Sequence, residues 1–201
     1  QEKSGIDFIV ASVHSREACH QVVAEARDRL GPASILVNNA GWGGFHDSPI
    51  WAETSENWDM SMAVNLTVPF ELSRAVAHDI RASQWGRIIN VSSTAGAVGA
   101  PSMSPYCAAK HGVIGLTRSL ALDLAACGGT CNAVLPGWVR TEMAHDDAVK
   151  EAARRGMTPE AVWEERAASY PGGRVLEPED IALVIAFLAS AESRGVNGEA
   201  I

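Results

Sequence analysis

Lysine is scarce in this chain: three of its 16 basic residues are lysines, against 24 acids and a formal charge of −8 over 201 residues. With arginines scattered rather than grouped, there is no basic patch to hold nucleic acid or an anionic membrane, and neither is expected as a partner. No apolar stretch reaches the ~18 residues a membrane span requires, and no basic leader precedes an apolar core, so a cytoplasmic location is expected. Cys19, Cys107, Cys127 and Cys131 contain no C-x-x-C pair and join no histidine cluster of zinc spacing. Reduced structural thiols and no metal follow. Repeats, low-complexity tracts and linkers are also missing, which makes one domain the economical reading. Nowhere is there a G-x-x-x-G-x-G, the glycine-rich turn that opens a helix onto a pyrophosphate.

What remains is a chain that is 47% hydrophobic and 20% charged, in which strand-like and helical segments alternate. Asp7–Ala11, Ile35–Gly41, Arg87–Ser93 and Thr130–Leu135 read as strands. Ser15–Leu30 reads as an amphipathic helix stopped by Gly31 and Pro32, with Cys19, Val22, Val23, Ala26 and Leu30 on one stripe. A second helix, capped by Thr54 or Ser55, runs through Trp58, Met62, Asn65 and Leu66 to Ile80, and Gly86 closes the segment. Pro105–Ala126 reads as a buried helix and Pro178–Ala189 as another, with Ile181, Val184, Ile185 and Leu188 inward and Glu179 and Asp180 at its positive end. The alternation predicts an α/β fold with a parallel sheet. Between the last two helices, 141–173 is polar and broken by Gly156, Pro159 and Pro171.

Two strands end in polar residues, Asn38-Asn39-Ala40-Gly41 and Asn90-Val91-Ser92-Ser93, at the carboxyl ends where open parallel sheets bind ligands. At the front of the Pro105–Ala126 helix, Tyr106 and Lys110 are four residues apart. That spacing puts them on one face, where the ammonium favours ionisation of a phenol whose ordinary pKa is ~10. A period of two along the strand sends Ser92 and Ser93 to opposite sides.

Asn-Asn-Ala-Gly, Ser93 thirteen residues before Tyr106, and Tyr-x-x-x-Lys together resemble the classical short-chain dehydrogenase/reductase family. The resemblance continues through Val64-Asn65-Leu66, Pro136-Gly137-Trp138-Val139-Arg140-Thr141 and Glu177-Pro178-Glu179-Asp180-Ile181-Ala182, and so covers nearly the whole chain. It implies a doubly wound, Rossmann-like sheet in a single domain, 1–201, with 141–173 as its substrate loop. The implied activity is interconversion of a secondary alcohol and a ketone with NAD or NADP. By resemblance Tyr106 is the general acid/base and Ser93 orients the carbonyl. Lys110 lowers the Tyr106 pKa and holds the nicotinamide ribose, while Asn65 positions a water that connects Lys110 to solvent. The turn at Asn39, Ala40 and Gly41 supports the adenosine side, and Pro136, Gly137, Val139 and Thr141 meet the nicotinamide amide. Family members form dimers or tetramers, so a homo-oligomer is implied, with a small carbonyl or alcohol compound as substrate.

The sequence departs from the family in two places. Ser12 stands where an acidic or amide residue usually holds adenine. The family's opening strand, glycine-rich turn and helix have no counterpart, so residues 1–201 are expected to lack the first two strands and the end of the last, beginning at Gly198. The alternative reading is a non-catalytic scaffold or interaction module. Trp42, Phe45, Met103, Trp138 and Met143 flank the motifs as candidate walls of an apolar pocket, while His46, His111 and His145 lack visible partners and are read as surface or packing residues.

Overall fold

The computed structural model describes residues 7–13, 15–43 and 48–201. Phe45 and His46 lie outside them. Helix α1, Arg16–Leu30, starts where the Ser15 hydroxyl accepts a hydrogen bond from Ala18 N at 3.2 Å, and Gly31 ends it at φ +87°. Cys19 and Val23 are its buried residues. Strand β1, Ile35–Asn38, follows. Helix α2, Ser55–Met62, is capped by Thr54. Beyond it the expected single helix to Ile80 is interrupted: Ala63–Thr67 form a π-helical turn before α3, Val68–Ser83, resumes. A π turn inserts one extra residue into the ladder, and such insertions concentrate at functional sites. Asn65 sits in this one.

Strands β2, Gly86–Val91, and β3, Gly129–Val134, flank helix α4, Ser104–Ala125. The sheet is parallel in the order β1-β2-β3, with Asn38 opposite Asn90 and Ile88 opposite Cys131. Because successive side chains alternate, Ile88 and Ile89 face opposite layers. Ile88 joins Val23, Val76, Ile80, Ala121, Leu124 and Cys131 beneath α1, α3 and α4. Ile89 joins Val134 and Leu188 beneath α7, Pro178–Ala189. Each fully buried Ile or Leu contributes about 1.5–3 kcal/mol. This is the expected doubly wound α/β arrangement.

The strand expected at Asp7–Ala11 is not formed. These residues pair with no strand among the described residues, Val10 is 100% exposed, and an extended segment without a ladder partner has nothing to hold it as a strand. The open edge of the sheet is instead β1, on which Ile35 and Val37 are 45% and 38% exposed. At the opposite edge the expected start of a last strand is present, since Ala133 bridges Ala200 in parallel and Ile201 N donates to Ala133 O at 3.0 Å.

The polar segment 141–173, expected as a substrate loop with short helices, folds into two of them. Helices α5, Glu142–Arg155, and α6, Pro159–Ala168, bury Ala148, Ala152, Val162 and Trp163 against Val175 in a core of their own. Arg166 ties the pair together by donating to Ala144 O, Asp147 and Glu151.

Two glycines of similar appearance in sequence have opposite structural meaning. A Cβ on Gly96 would lie 2.6 Å from the Ser92 hydroxyl and 2.8 Å from the Lys110 carbonyl oxygen, whereas one on Gly115 of α4 would meet nothing within 4 Å. Gly96→Ala should therefore destabilise by about 1–3 kcal/mol through overpacking, and Gly115→Ala should stabilise by about 0.5–1 kcal/mol through helix propensity. Urea unfolding of the two variants measures both signs.

Candidate active site

The carboxyl ends of β1 and β2 and the first turns of α4 converge on one place. Val91 ends β2 and turns its carbonyl to the Lys110 amine, 2.9 Å away. The next two residues diverge as strand alternation requires. The buried Ser92 hydroxyl donates to Lys110 O at 3.0 Å and fastens α4 to the strand end, while the Ser93 hydroxyl accepts from Ala95 N at 3.1 Å and lies near enough to the Tyr106 phenol to draw its pKa down. Ser93 is thus the serine that meets Tyr106, and Ser92 is structural.

Lys110 is 4% exposed. Its amine lies 5.6 Å from the centre of the Tyr106 ring rather than against the hydroxyl, and Val91 O is its one hydrogen-bond acceptor among the described residues. Burial pushes its pKa down to about 8. The expected lowering of the Tyr106 pKa by Lys110 is not found. Burial pushes the phenol up, with the Ser93 hydrogen bond opposing and Cys107 adding to the rise. An amine over the ring face, itself half-neutral near pH 8, is poorly placed to hold a phenolate at the hydroxyl end.

Asn65 is fully buried, and its amide is already occupied. Its Oδ1 accepts from Trp42 N at 3.0 Å while Nδ2 donates to Trp42 O at 2.8 Å and to Ser61 Oγ at 3.3 Å. Both donor hydrogens and one lone pair are therefore spent on protein, and the side chain clamps the chain after Gly41. A Cβ on Gly41 would lie 3.4 Å from Asn65 Oδ1 and 3.8 Å from the Lys110 amine, which places the turn directly over the lysine.

Asn39 and Ala40 are exposed on this turn. Asn38 is buried behind it, donating to Asn90 Oδ1 at 2.7 Å and to Ser73 Oγ at 3.3 Å. Pro136 accepts from Thr94 N at 3.0 Å, which brings the loop after β3 beside Ser93. Gly137 is covered by Tyr170, whose hydroxyl accepts from Trp138 N at 2.7 Å and would be 2.2 Å from an added Cβ. Val139 bridges Leu176, and Thr141 caps α5 by accepting from Ala144 N at 3.2 Å. Ser12 is exposed on the segment before α1.

Of the candidate pocket walls, Met103 lines a cleft too narrow to admit a water molecule, with Glu53, Asn57, Ser61, Ser102, Pro105 and Tyr106. Trp138 is stacked on the Arg166 guanidinium at 3.6 Å, and Met143 is exposed on α5. His111 donates through Nδ1 to Cys107 O within α4 and His145 lies on α5, so neither joins Tyr106. The polar stripe Asn57, Ser61 and Asn65, Tyr170 over Gly137 and the Arg166 bridge went unread in the sequence. Only the stripe carried a signal, three polar residues at i, i+4 and i+8 on what is a buried helix face. Among the described residues no group of three or more His, Cys, Asp or Glu could hold a metal, and no helix is long and apolar enough to cross a membrane.

A family model described as enoyl-(acyl carrier protein) reductase matches residues 1–201. D-beta-hydroxybutyrate dehydrogenase of Cupriavidus necator is 38% identical over 174 residues, which cover 86% of this chain and 67% of that protein. Among solved structures, NAD+-bound xylitol dehydrogenase matches with a TM-score of 0.88 at 30% identity, over 96% of this chain and 76% of its own. A variant actinorhodin polyketide ketoreductase with NADPH also matches at a TM-score of 0.88, with 34% identity over 95% of this chain and 73% of its own. The chain belongs to the short-chain dehydrogenase/reductase family.

Lys110 leaves a thermodynamic mark. Its folded pKa of about 8 is below the ordinary lysine value of 10.5, so between those values the unfolded chain binds more protons and stability rises with pH. The full gain is about 3 kcal/mol, absent below pH 8. Cys131, pushed up to about 12 by burial, acts with the opposite sign above pH 9. Denaturant unfolding of wild type and Lys110→Met at pH 7 to 10 isolates the lysine: the wild type should gain stability relative to the variant as pH rises, and parallel curves would remove the assignment.

Proposed function

We propose that the chain is an NAD(P)-dependent oxidoreductase that interconverts a secondary alcohol and a ketone, with Tyr106 as general acid/base. The observation that carries this reading is the pair of neighbouring hydroxyls, Ser93 and Tyr106, set beside a buried lysine. When a carbonyl is reduced, negative charge develops on its oxygen and requires a proton donor and a second hydrogen bond. Tyr106 gives the proton, and its raised pKa keeps that proton in place beforehand. Ser93, whose oxygen accepts from Ala95 N, can turn its O–H hydrogen from the Tyr106 oxygen to the substrate oxygen for the second bond. Alcohol oxidation runs the same transfers in reverse and needs the phenolate, so its rate rises with pH while reduction is favoured toward neutrality.

The residues present fit a nicotinamide cofactor: a buried amine has donor hydrogens left after Val91, and Gly41 lets the backbone pass close to it. Lys110 and Tyr106 would hold the nicotinamide ribose, Pro136, Gly137, Val139 and Thr141 the nicotinamide side, and Ser12, Asn39, Ala40 and Gly41 the adenosine side. Bound there, the cofactor supplies or accepts the hydride. Both forms occur among the structural relatives, NAD+ in xylitol dehydrogenase and NADPH in the polyketide ketoreductase. Asn65 acts as a positioning residue by fixing Trp42, and the pair α5 and α6 forms the substrate loop. A free or CoA-linked hydroxy compound is the substrate class favoured by the 38% identity to the hydroxybutyrate dehydrogenase.

The open edge of β1, with Ile35 and Val37 exposed, is where a further parallel strand carrying a glycine-rich turn would pair, in keeping with a single domain of which 1–201 is part. Exposed Trp58, Met60, Phe70 and Leu122 on α2, α3 and α4 suit a homo-oligomer. Tyr106→Phe should lower kcat by about 10²–10⁴-fold, the range for loss of a general acid, and weaken the cofactor affinity read by nicotinamide fluorescence titration only several-fold, for the one ribose hydrogen bond lost. Retained turnover would remove Tyr106 from the mechanism, and wild-type protein without cofactor binding would favour a non-catalytic scaffold.

A further inference from the structure

At the amino ends of β2 and β3, on the far side of the sheet from Tyr106, lies a second and wider cavity of about 520 Å³. Arg87 and Thr130, directly paired across the two strands, both line it, with Arg194 at its rim. Arg87 is only 2% exposed. Its guanidinium donates to three backbone carbonyls, through Nε to Ser190 O at 3.0 Å and through Nη1 to Gly86 O at 2.8 Å and Gly128 O at 3.4 Å, and lies 4.7 Å from the Trp85 ring centre. No carboxylate pairs with it among the described residues, and its Nη2 makes no hydrogen bond to them. Thr130 is 5% exposed and its buried hydroxyl has no hydrogen-bond partner.

Buried charges and hydroxyls are ordinarily satisfied, so these exceptions call for a reason. Carbonyls at the ends of α4 and α7 offset part of the Arg87 charge. They do nothing for Thr130, and the charge of Arg194 is offset, among the described residues, only by the nearby Glu192. What remains unspent in the cavity is donor hydrogen and positive charge, a combination that matches an acceptor-only ligand. Burial lowers the Arg87 pKa, as expected where no anion yet offsets the cost of desolvation.

We propose that this cavity is an oxyanion site, distinct from the Tyr106 centre, that takes the phosphate or carboxylate group of a small molecule on Arg87, Thr130 and Arg194. The volume admits a ligand larger than the anionic group itself. Nothing in this proposal depends on the oxidoreductase reading, and its test needs no turnover.

Calorimetric titration of the intact protein with inorganic phosphate, and separately with citrate, at fixed ionic strength tests it. One saturable site is expected for at least one probe, and which probe binds distinguishes phosphate from carboxylate. Arg194→Gln should weaken binding roughly tenfold, the effect of losing a charge-assisted bond, and Thr130→Val should weaken it several-fold while leaving stability unchanged or higher. Arg87→Lys, which keeps the charge and loses the fork, should also weaken it, provided that thermal unfolding shows the variant folded. Absence of saturation with both probes, or equal affinity in wild type, Arg194→Gln and Thr130→Val, which would mean an adventitious ion only, overturns the proposal.

Discussion

A single buried amine organises the catalytic end of this molecule. Lys110 occupies the gap between the end of β2 and the Tyr106 ring, and a charged group taken out of water is tolerated only if every neighbour is placed to compensate. The Val91 carbonyl gives one hydrogen bond. No other hydrogen bond reaches the amine from the described residues: the turn at Gly41 passes over it without a side chain, and Gly96 lets the segment after Ser93 lie against the Lys110 carbonyl, so the chain closes around a charge that is only partly compensated. The glycines therefore matter through the volume they leave to the lysine. This also explains why the amine is held nearly half-neutral near pH 8 instead of fully charged.

Asn65 shows how the same end is locked from the other side. The π turn rotates the helix so that an amide faces the loop after β1, and that amide then uses its donors and an acceptor on the Trp42 backbone and Ser61. Two reciprocal bonds to one residue fix both position and orientation of the chain there. A loop held in this way can present Gly41 to a ligand without losing conformational entropy on binding. Rigidity of this kind is what positions a cofactor, and it is obtained from a helix defect that no hydrophobic period announces.

Much of this was legible in the sequence for physical reasons that can be stated residue by residue. Tyr106 and Lys110 at i and i+4 had to share a helix face, and Ser92 and Ser93 had to diverge, because backbone periodicity alone decides both. The buried strands read well because Ile88, Ile89, Cys131 and Val134 pack on both faces. Asp7–Ala11 misled because a short apolar run states a preference that only a neighbouring strand can satisfy. The tendency of Tyr106 to ionise was misjudged for a related reason: spacing fixes which residues are neighbours, whereas burial depends on everything else packed around them. The short helices expected in 141–173 formed, but what holds them was hidden by their polarity, since much of their stability comes from small alanines and from Arg166, whose three acceptors lie 15 to 22 residues earlier.

The polar ladder through the core accounts for why the site assembles in only one way. Asn38 on β1 donates to Asn90 on β2, Asn90 donates to Thr117 on α4 at 2.8 Å, and Thr117 donates to Val113 O. Sliding β1 by one residue against β2 would turn Asn38 to the other face and leave buried amides unpaired. Thr117 stands seven residues, two helical turns, beyond Lys110 on the same face of α4. The Asn90–Thr117 bond thus sets the height of α4 on the sheet, and with it the reach of Lys110 to the carbonyl of Val91, the residue after Asn90. Register, helix height and lysine placement are one constraint expressed three times, which is why polar residues occupy positions where apolar ones would bury more area.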